Sequence, residues 1–111
     1  MATTITPDVL VSIQLANSKG NVYVPGAGVT GSIKSIILHN TDSAAQEVKL
    51  FFDDGSNSYQ FANPLIAPKD TVVIPLGGEG MAIVHGKKIE GNTDTAAKVT
   101  CMLCGSKIEV S

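Results

Sequence analysis

Short stretches of alternating apolar and polar residues run the length of the chain, separated by clusters of Gly, Pro, Asn and Asp. Val9, Val11, Ile13 and Leu15 alternate with Leu10, Ser12 and Gln14, the pattern of a strand with one buried face. Residues 17–21 form a turn cluster, and Val22, Tyr23 and Val24 make a short strand that Pro25 ends. Ser32 to His39 predicts a strand inside a sheet, with Ile33 and Ile37 on one face and Ile36 and Leu38 on the other. Gln46 to Asp53 directs Val48, Leu50 and Phe52 inward and Glu47, Lys49 and Asp53 outward, with Phe51 an apolar residue on the outward side.

The second half repeats the pattern. Tyr59 to Leu65 is a strand limited by Pro64, and Thr71 to Leu76 turns Val72, Ile74 and Leu76 inward. Met81 to His85 and Lys87 to Glu90 are shorter segments of the same kind. Lys98 to Cys104 is a strand, and Lys107 to Val110 is a further strand or its continuation past Gly105. No segment holds a helical period for three turns, and the β-branched residues around Ile33, Ile36 and Ile37 favour a strand there. About seven to nine short strands with regular turns predict an all-β fold, a single antiparallel β-sandwich of immunoglobulin-like or jelly-roll-like type. The sandwich domain is expected over residues 8–111, preceded by a short polar N-terminal arm at residues 1–7.

Composition narrows the function classes. The 111 residues suit one domain, and 43% hydrophobic against 16% charged residues argues against disorder. The net charge is −2 and there is no Arg, the residue best suited to bidentate phosphate and base contacts, so no specific nucleic-acid partner is expected. No apolar run is long enough to span a membrane, and residues 1–7 lack the features of a secretory signal. Two cysteines do not make a disulfide framework, in keeping with synthesis in a reducing cytoplasm.

Each motif with chemical potential has a plainer structural reading. Residues 26–31 spell G-x-G-x-x-G, but a strand follows where a dinucleotide site needs a helix. Cys101 and Cys104 form a lone C-x-x-C; in a strand they point to opposite faces, so they read as small hydrophobes and not as a zinc pair. Asp53, Asp54, Ser56 and Asn57 cluster oxygen ligands without calcium-loop spacing, which leaves a hairpin turn. His39 and Asp70 come with no nucleophile elbow. No catalytic residue, cofactor or metal is therefore assigned, and the chain is expected not to be an enzyme. Outward apolar residues, namely Phe51, Val73, Ile36, Leu38 and Met102, need cover from the second sheet, from residues 1–15 or from another subunit, and an interface is the reading preferred.

From Ser32 to Gly105 the order of elements resembles small β-sandwich structural proteins of tailed bacteriophages. The resemblance is carried by Ser32 to Thr41, a strand running into Asn-Thr, and by its hairpin partner Val48 to Gly55. Leu65 to Leu76, Val84 to Gly91 and Val99 to Gly105 continue it. It implies a virion protein of the capsid decoration (cement) type, bound to the major capsid protein on the outside of the shell and to neighbouring copies of itself as a homotrimer. The arm, with Thr3, Thr4 and Ile5, would reach a neighbouring subunit, and Phe51 and Val73 would complete the contact surface. A tail or head–tail connector protein is the alternative. A carbohydrate- or receptor-binding module ranks lower, because such sites use aromatic platforms and the chain has no Trp and few other aromatics.

Overall fold

The structure is a computed structural model and describes residues 3–77 and 80–110. In chain order the strands are β1 (Thr3–Gln14), β2 (Gly20–Tyr23), β3 (Val29–Asn40), β4 (Gln46–Asp53), β5 (Ser58–Ala62), β6 (Leu65–Ile66), β7 (Thr71–Pro75), β8 (Met81–Ile83), β9 (Lys88–Thr93) and β10 (Val99–Val110). They form two antiparallel sheets. One runs β1-β10-β3-β7 with β8 also on β3; the other runs β2-β9-β4-β5 with β6 also on β4. The β-sandwich expected from the alternation is the fold observed.

The core fills the space between the sheets. Ile33, Ile36, Leu38, Val99, Cys101 and Leu103 from the first sheet meet Val22, Val48, Leu50, Ile66 and Ile89 from the second, all buried. Burial of each large aliphatic side chain contributes about 1.5–3 kcal/mol. Phe52, Val72, Ile74 and Leu76 pack against this cluster from its margin, on the sides alternation assigns them. Burial pushes the Cys101 thiol up to about 12, with Cys104 adding to the rise.

Two assignments of facing change. Val9 points outward and is exposed, whereas Val11, Ile13 and Leu15 keep to the core side. The cause is a β-bulge at Leu10, since the register passes from Val9↔Cys104 to Val11↔Leu103. In β3, Ile33 lies on the same face as Ile36 and Leu38, and all three are buried; Ile37 alone points outward. There the extra residue is Lys34, because Cys104 pairs with Ser35 while Gly105 pairs with Ile33. Ile36 and Leu38 are thus core residues and no part of an exposed surface. The two bulges flank Cys104, the one at Leu10 opposite the Leu103–Cys104 step and the one at Lys34 opposite the Cys104–Gly105 step of β10, which itself runs unbroken from Val99 to Val110. At this level the neighbouring chain comes so close that a Cβ on Gly105 would run into the Ser32 carbonyl.

One end of the sandwich is closed by buried polar side chains. Asn40 Nδ2 donates to the carbonyls of Ala44, Ile66 and Ala67 at 2.9, 3.1 and 3.2 Å, and its Oδ1 accepts from Asp42 N at 2.9 Å. Gln46 Nε2 donates to Asp42 Oδ2 at 2.9 Å, and its Oε1 accepts from Thr95 N at 3.0 Å. Thr93 Oγ1 donates to the Glu47 carbonyl at 2.9 Å. One Asn therefore ties the β3–β4 loop and the β6–β7 connection to the end of β3.

Three outcomes follow. Gly105→Ala should lower the unfolding free energy by about 2–3 kcal/mol, the scale of overpacking a site with no room to yield, measured by urea denaturation. Asn40→Ala should cost about 2–4 kcal/mol, because several buried backbone groups lose their partner at once. The raised Cys101 thiol favours the folded state fully below the ordinary thiol value of 9.0 and loses that contribution as pH rises from there to about 12. Melting curves should accordingly show the stability difference between wild type and Cys101→Ala changing against wild type across that alkaline window and staying constant below it.

Candidate interaction face

The outer sides of the two sheets differ in character. On the second sheet, alternation along β4 and β9 turns Glu47, Lys49, Asp53, Lys88 and Glu90 outward, opposite the buried Val48, Leu50 and Ile89. Lys49 lies 3.8 Å from Glu47, and Lys88 3.9 Å from Glu90. Phe51 stands among them with the Lys19 Nζ 4.7 Å above its ring. This is an ordinary solvated β-surface.

On the first sheet the outward positions of β10 are Thr100, Met102, Cys104, Ser106, Ile108 and Val110, opposite the buried Val99, Cys101 and Leu103. Their cross-strand neighbours on β1 are Gln14, Ser12, Val9, Pro7, Ile5 and Thr3. On the other flank, Ile37 pairs with Met102 and Val73 pairs with Ile37. None of these residues is charged. Lys34 sits at the bulge, and Asp8, Lys107 and Glu109 belong to the opposite side of the sheet by their register. His39 lies at the far end, its Nδ1 2.8 Å from the Thr71 hydroxyl. Ile5 is 64% exposed, Val73 56%, Val110 47% and Val9 43%.

The apolar residues change sides along the sheet. In the half of β10 that covers the core they are Val99, Cys101 and Leu103 on the inner side; beyond Gly105 they are Ile108 and Val110 on the outer side. Strand β1 does the same, from Ile13 and Val11 inward to Val9 and Ile5 outward, by way of its bulge. Tyr23 covers the inner side where a Cβ on Gly31 would meet its ring. Past that point the inner side is open and polar, with exposed Thr4 and Thr6 and a Lys107–Glu109 ion pair at 3.3 Å. The far part of this sheet therefore carries its apolar side away from the sandwich core.

The residues singled out in the sequence fall into two places. Thr3, Ile5 and Val73 share the uncharged face; Thr4 is on its reverse, and Phe51 is on the other sheet. Thr3 to Pro7, read as an arm, lie within β1 and pair with Val110 to Ser106; Met1 and Ala2 lie outside the described residues. The contributions of Val9, Cys104, Ile108 and Val110 were missed, although the shift of apolar positions from odd to even numbers across Gly105 announces them. The cysteines face opposite ways, Cys101 into the core and Cys104 half-buried on the outer face. The G-x-G-x-x-G segment is a turn, with Val29 N bonded to the Gly26 carbonyl at 3.1 Å, leading into β3. In the 53–57 hairpin the Asp54 carboxylate accepts from Ser56 N and Asn57 N at 2.9 and 2.8 Å, and these amides hold it below its ordinary value.

A shallow cleft of about 290 Å³ lies between the 53–55 hairpin and the 85–88 turn, lined by Pro25, Asp53, His85, Lys87 and Lys88 among others. The His85 Nδ1–H donates to the Pro25 carbonyl at 3.1 Å. No hydroxyl or thiol lines the cleft to act as a nucleophile beside it.

No protein-family model matches the chain, and no curated protein is similar to it in sequence. In three dimensions it is similar to a chain from the Bacillus endospore appendages, described as a novel family of disulfide-linked pili. The identity is 12%, over 99% of this chain and 91% of that one, with a TM-score of 0.54. It is also similar to a chain of the T13 viral particle of infectious bursal disease virus, at 8% identity over 98% of this chain and a TM-score of 0.51; it spans 31% of that viral chain. At these identities the likeness is one of fold, the two-sheet antiparallel sandwich.

Proposed function

We propose that the protein is a structural subunit that works by contact and not by catalysis, and that it serves as a capsid decoration protein of a virion. In this reading it binds the major capsid protein on the outer surface of the shell. The observation that carries the reading is the segregation of charge between the two sheets. The paired outward positions of β1 and β10 carry no charge, and Ile5, Val9, Met102, Ile108 and Val110 among them, with Ile37 and Val73 alongside, interleave with Ser, Thr and Gln, a composition that suits an interface. Thr3, Ile5 and Val73 on that side belong to the contact surface, while Phe51 is a single aromatic among the charged side chains of the other sheet. Many equivalent copies then make weak individual contacts effective. Two of the solved structures similar to it in fold come from assembled particles, a pilus and a virus.

A tail or connector subunit is the second reading, favoured by the near full-length match of the fold to a pilus chain. The two separate on incubation with capsid shells of the virus that encodes the protein. A decoration protein should co-sediment with the shells and raise their melting temperature, since a ligand of the assembled state alone stabilises it. A ring of the protein that ignores the shells would support the tail or connector and overturn the decoration role.

A further inference from the structure

The change of side along β1 and β10 needs a physical account. In an isolated sheet extension both sides meet water, and nothing selects one side for Ile5, Val9, Ile108 and Val110. Here the inner side of β1 and β10 carries Thr4, Thr6, Lys107 and Glu109, with Val29 of β3 beside Glu109, and the outer side of the same two strands carries Ile5, Val9, Ile108 and Val110. A sheet is apolar on the side it buries. The extension is thus patterned for cover on its outer side. This continues the uncharged strip of Cys104, Met102, Ile37 and Val73.

We infer that this face packs against the same face of a second copy of the chain, sheet on sheet, to form a third layer of core. The inference rests on the reading of the protein as a contact-making subunit and names the partner of one surface.

Three observations choose the occupant. The first is charge. A partner presenting several Lys, Asp or Glu would bury them against paired positions of β1, β10 and β3 that carry no charge, with Lys34 at the bulge the cation beside them, at a cost of several kcal/mol per unpaired ion. That excludes the protein's own second sheet, with Glu47, Lys49, Asp53, Lys88 and Glu90 outward. The uncharged face of a second copy meets the condition, and one self-complementary patch suffices for a two-fold contact.

The second is area. Strands β1, β3 and β10 have 12 residues each. At about 3.3 Å per residue and about 4.8 Å between strands they span about 40 by 15 Å. A pair of such faces buries about 1,200 Å², the lower bound of specific interfaces, before β7 and β8 are added.

The third is the edge. β1 borders the sheet, and an open edge invites strand addition. Here Pro7 removes a donor and the bulge at Leu10 breaks the repeat, both devices that blunt an edge. Association is thereby directed from the edge to the face.

The test uses the purified full chain without shells. Sedimentation over a concentration series should show wild type as pairs, and Cys104, in the middle of the face, should react with a maleimide more slowly as concentration rises. Buried Cys101 serves as the internal reference that stays unlabelled until the protein unfolds. Ile5→Glu and Val73→Glu alter exposed side chains and leave the core intact, as matching melting curves of the monomers would confirm. Each should weaken pairing by about tenfold or more, since about 1.4 kcal/mol suffices for tenfold and a buried lone carboxylate costs more. Tyr59→Glu, at an exposed position on the second sheet, should leave pairing unchanged. A wild type that stays monomeric, or one whose association or three-fold mass is indifferent to both face substitutions, would overturn the inference. Pairing without shell binding would sink the decoration role and leave this contact standing; shell binding by a monomer would do the reverse.

Discussion

The close passage of β10 past β3 at Gly105 is the constraint on which the rest of the first sheet depends. Only a residue without a Cβ lets β10 run straight beside the Ser32 carbonyl while its neighbours on both flanks take an extra residue. The two bulges, at Leu10 and Lys34, are set at one level across the sheet, and bulges bend and twist the strand that carries them. On one side of that level the sheet covers the core; on the other, cover continues through Ile33 and Ile83 to Tyr23 at Gly31, and only past that point does the inner side of β1 and β10 open to water. The same level divides inward-facing from outward-facing apolar residues in β1 and β10, so one local geometric event sets both the shape of the sheet and the character of its two sides.

The opposite end is held differently. Asn40, Gln46 and Thr93 are buried with their polar atoms bonded to backbone groups and to the Asp42 carboxylate, and the described buried side chains leave no polar atom without a partner. A satisfied network of this kind holds loops in place, because breaking one link leaves several buried groups unpaired. The molecule thus has a rigid, polar-closed end and an extended end that offers apolar surface.

This asymmetry bears on function more than any single residue does. The features that could suggest chemistry have structural uses: the Asp54 carboxylate caps its own hairpin, the glycine-rich segment turns into β3, and the two cysteines serve different sides of one strand. What remains is a contrast between a charged outer sheet, which water covers adequately, and an uncharged one, which water covers poorly. The proposed contact-making role rests on this contrast.

Much of the architecture is written in the alternation itself. A period of two in Val48, Leu50 and Phe52, or in Val72, Ile74 and Leu76, leaves one side for the core whatever the partner strand, so the all-β class and most strand positions could be read directly. The polar reading of residues 1–7 and the facing of Val9 and Ile33 depended on more than local pattern. Residues 3–7 gain their pairing from a strand at the other end of the chain, and a bulge shifts facing by one residue through an interaction between strands that no single strand encodes. The shift of apolar positions past Gly105 was present in the sequence by itself. Only the tertiary structure decided that the second sheet ends short of it, and hence that those residues face away from the core.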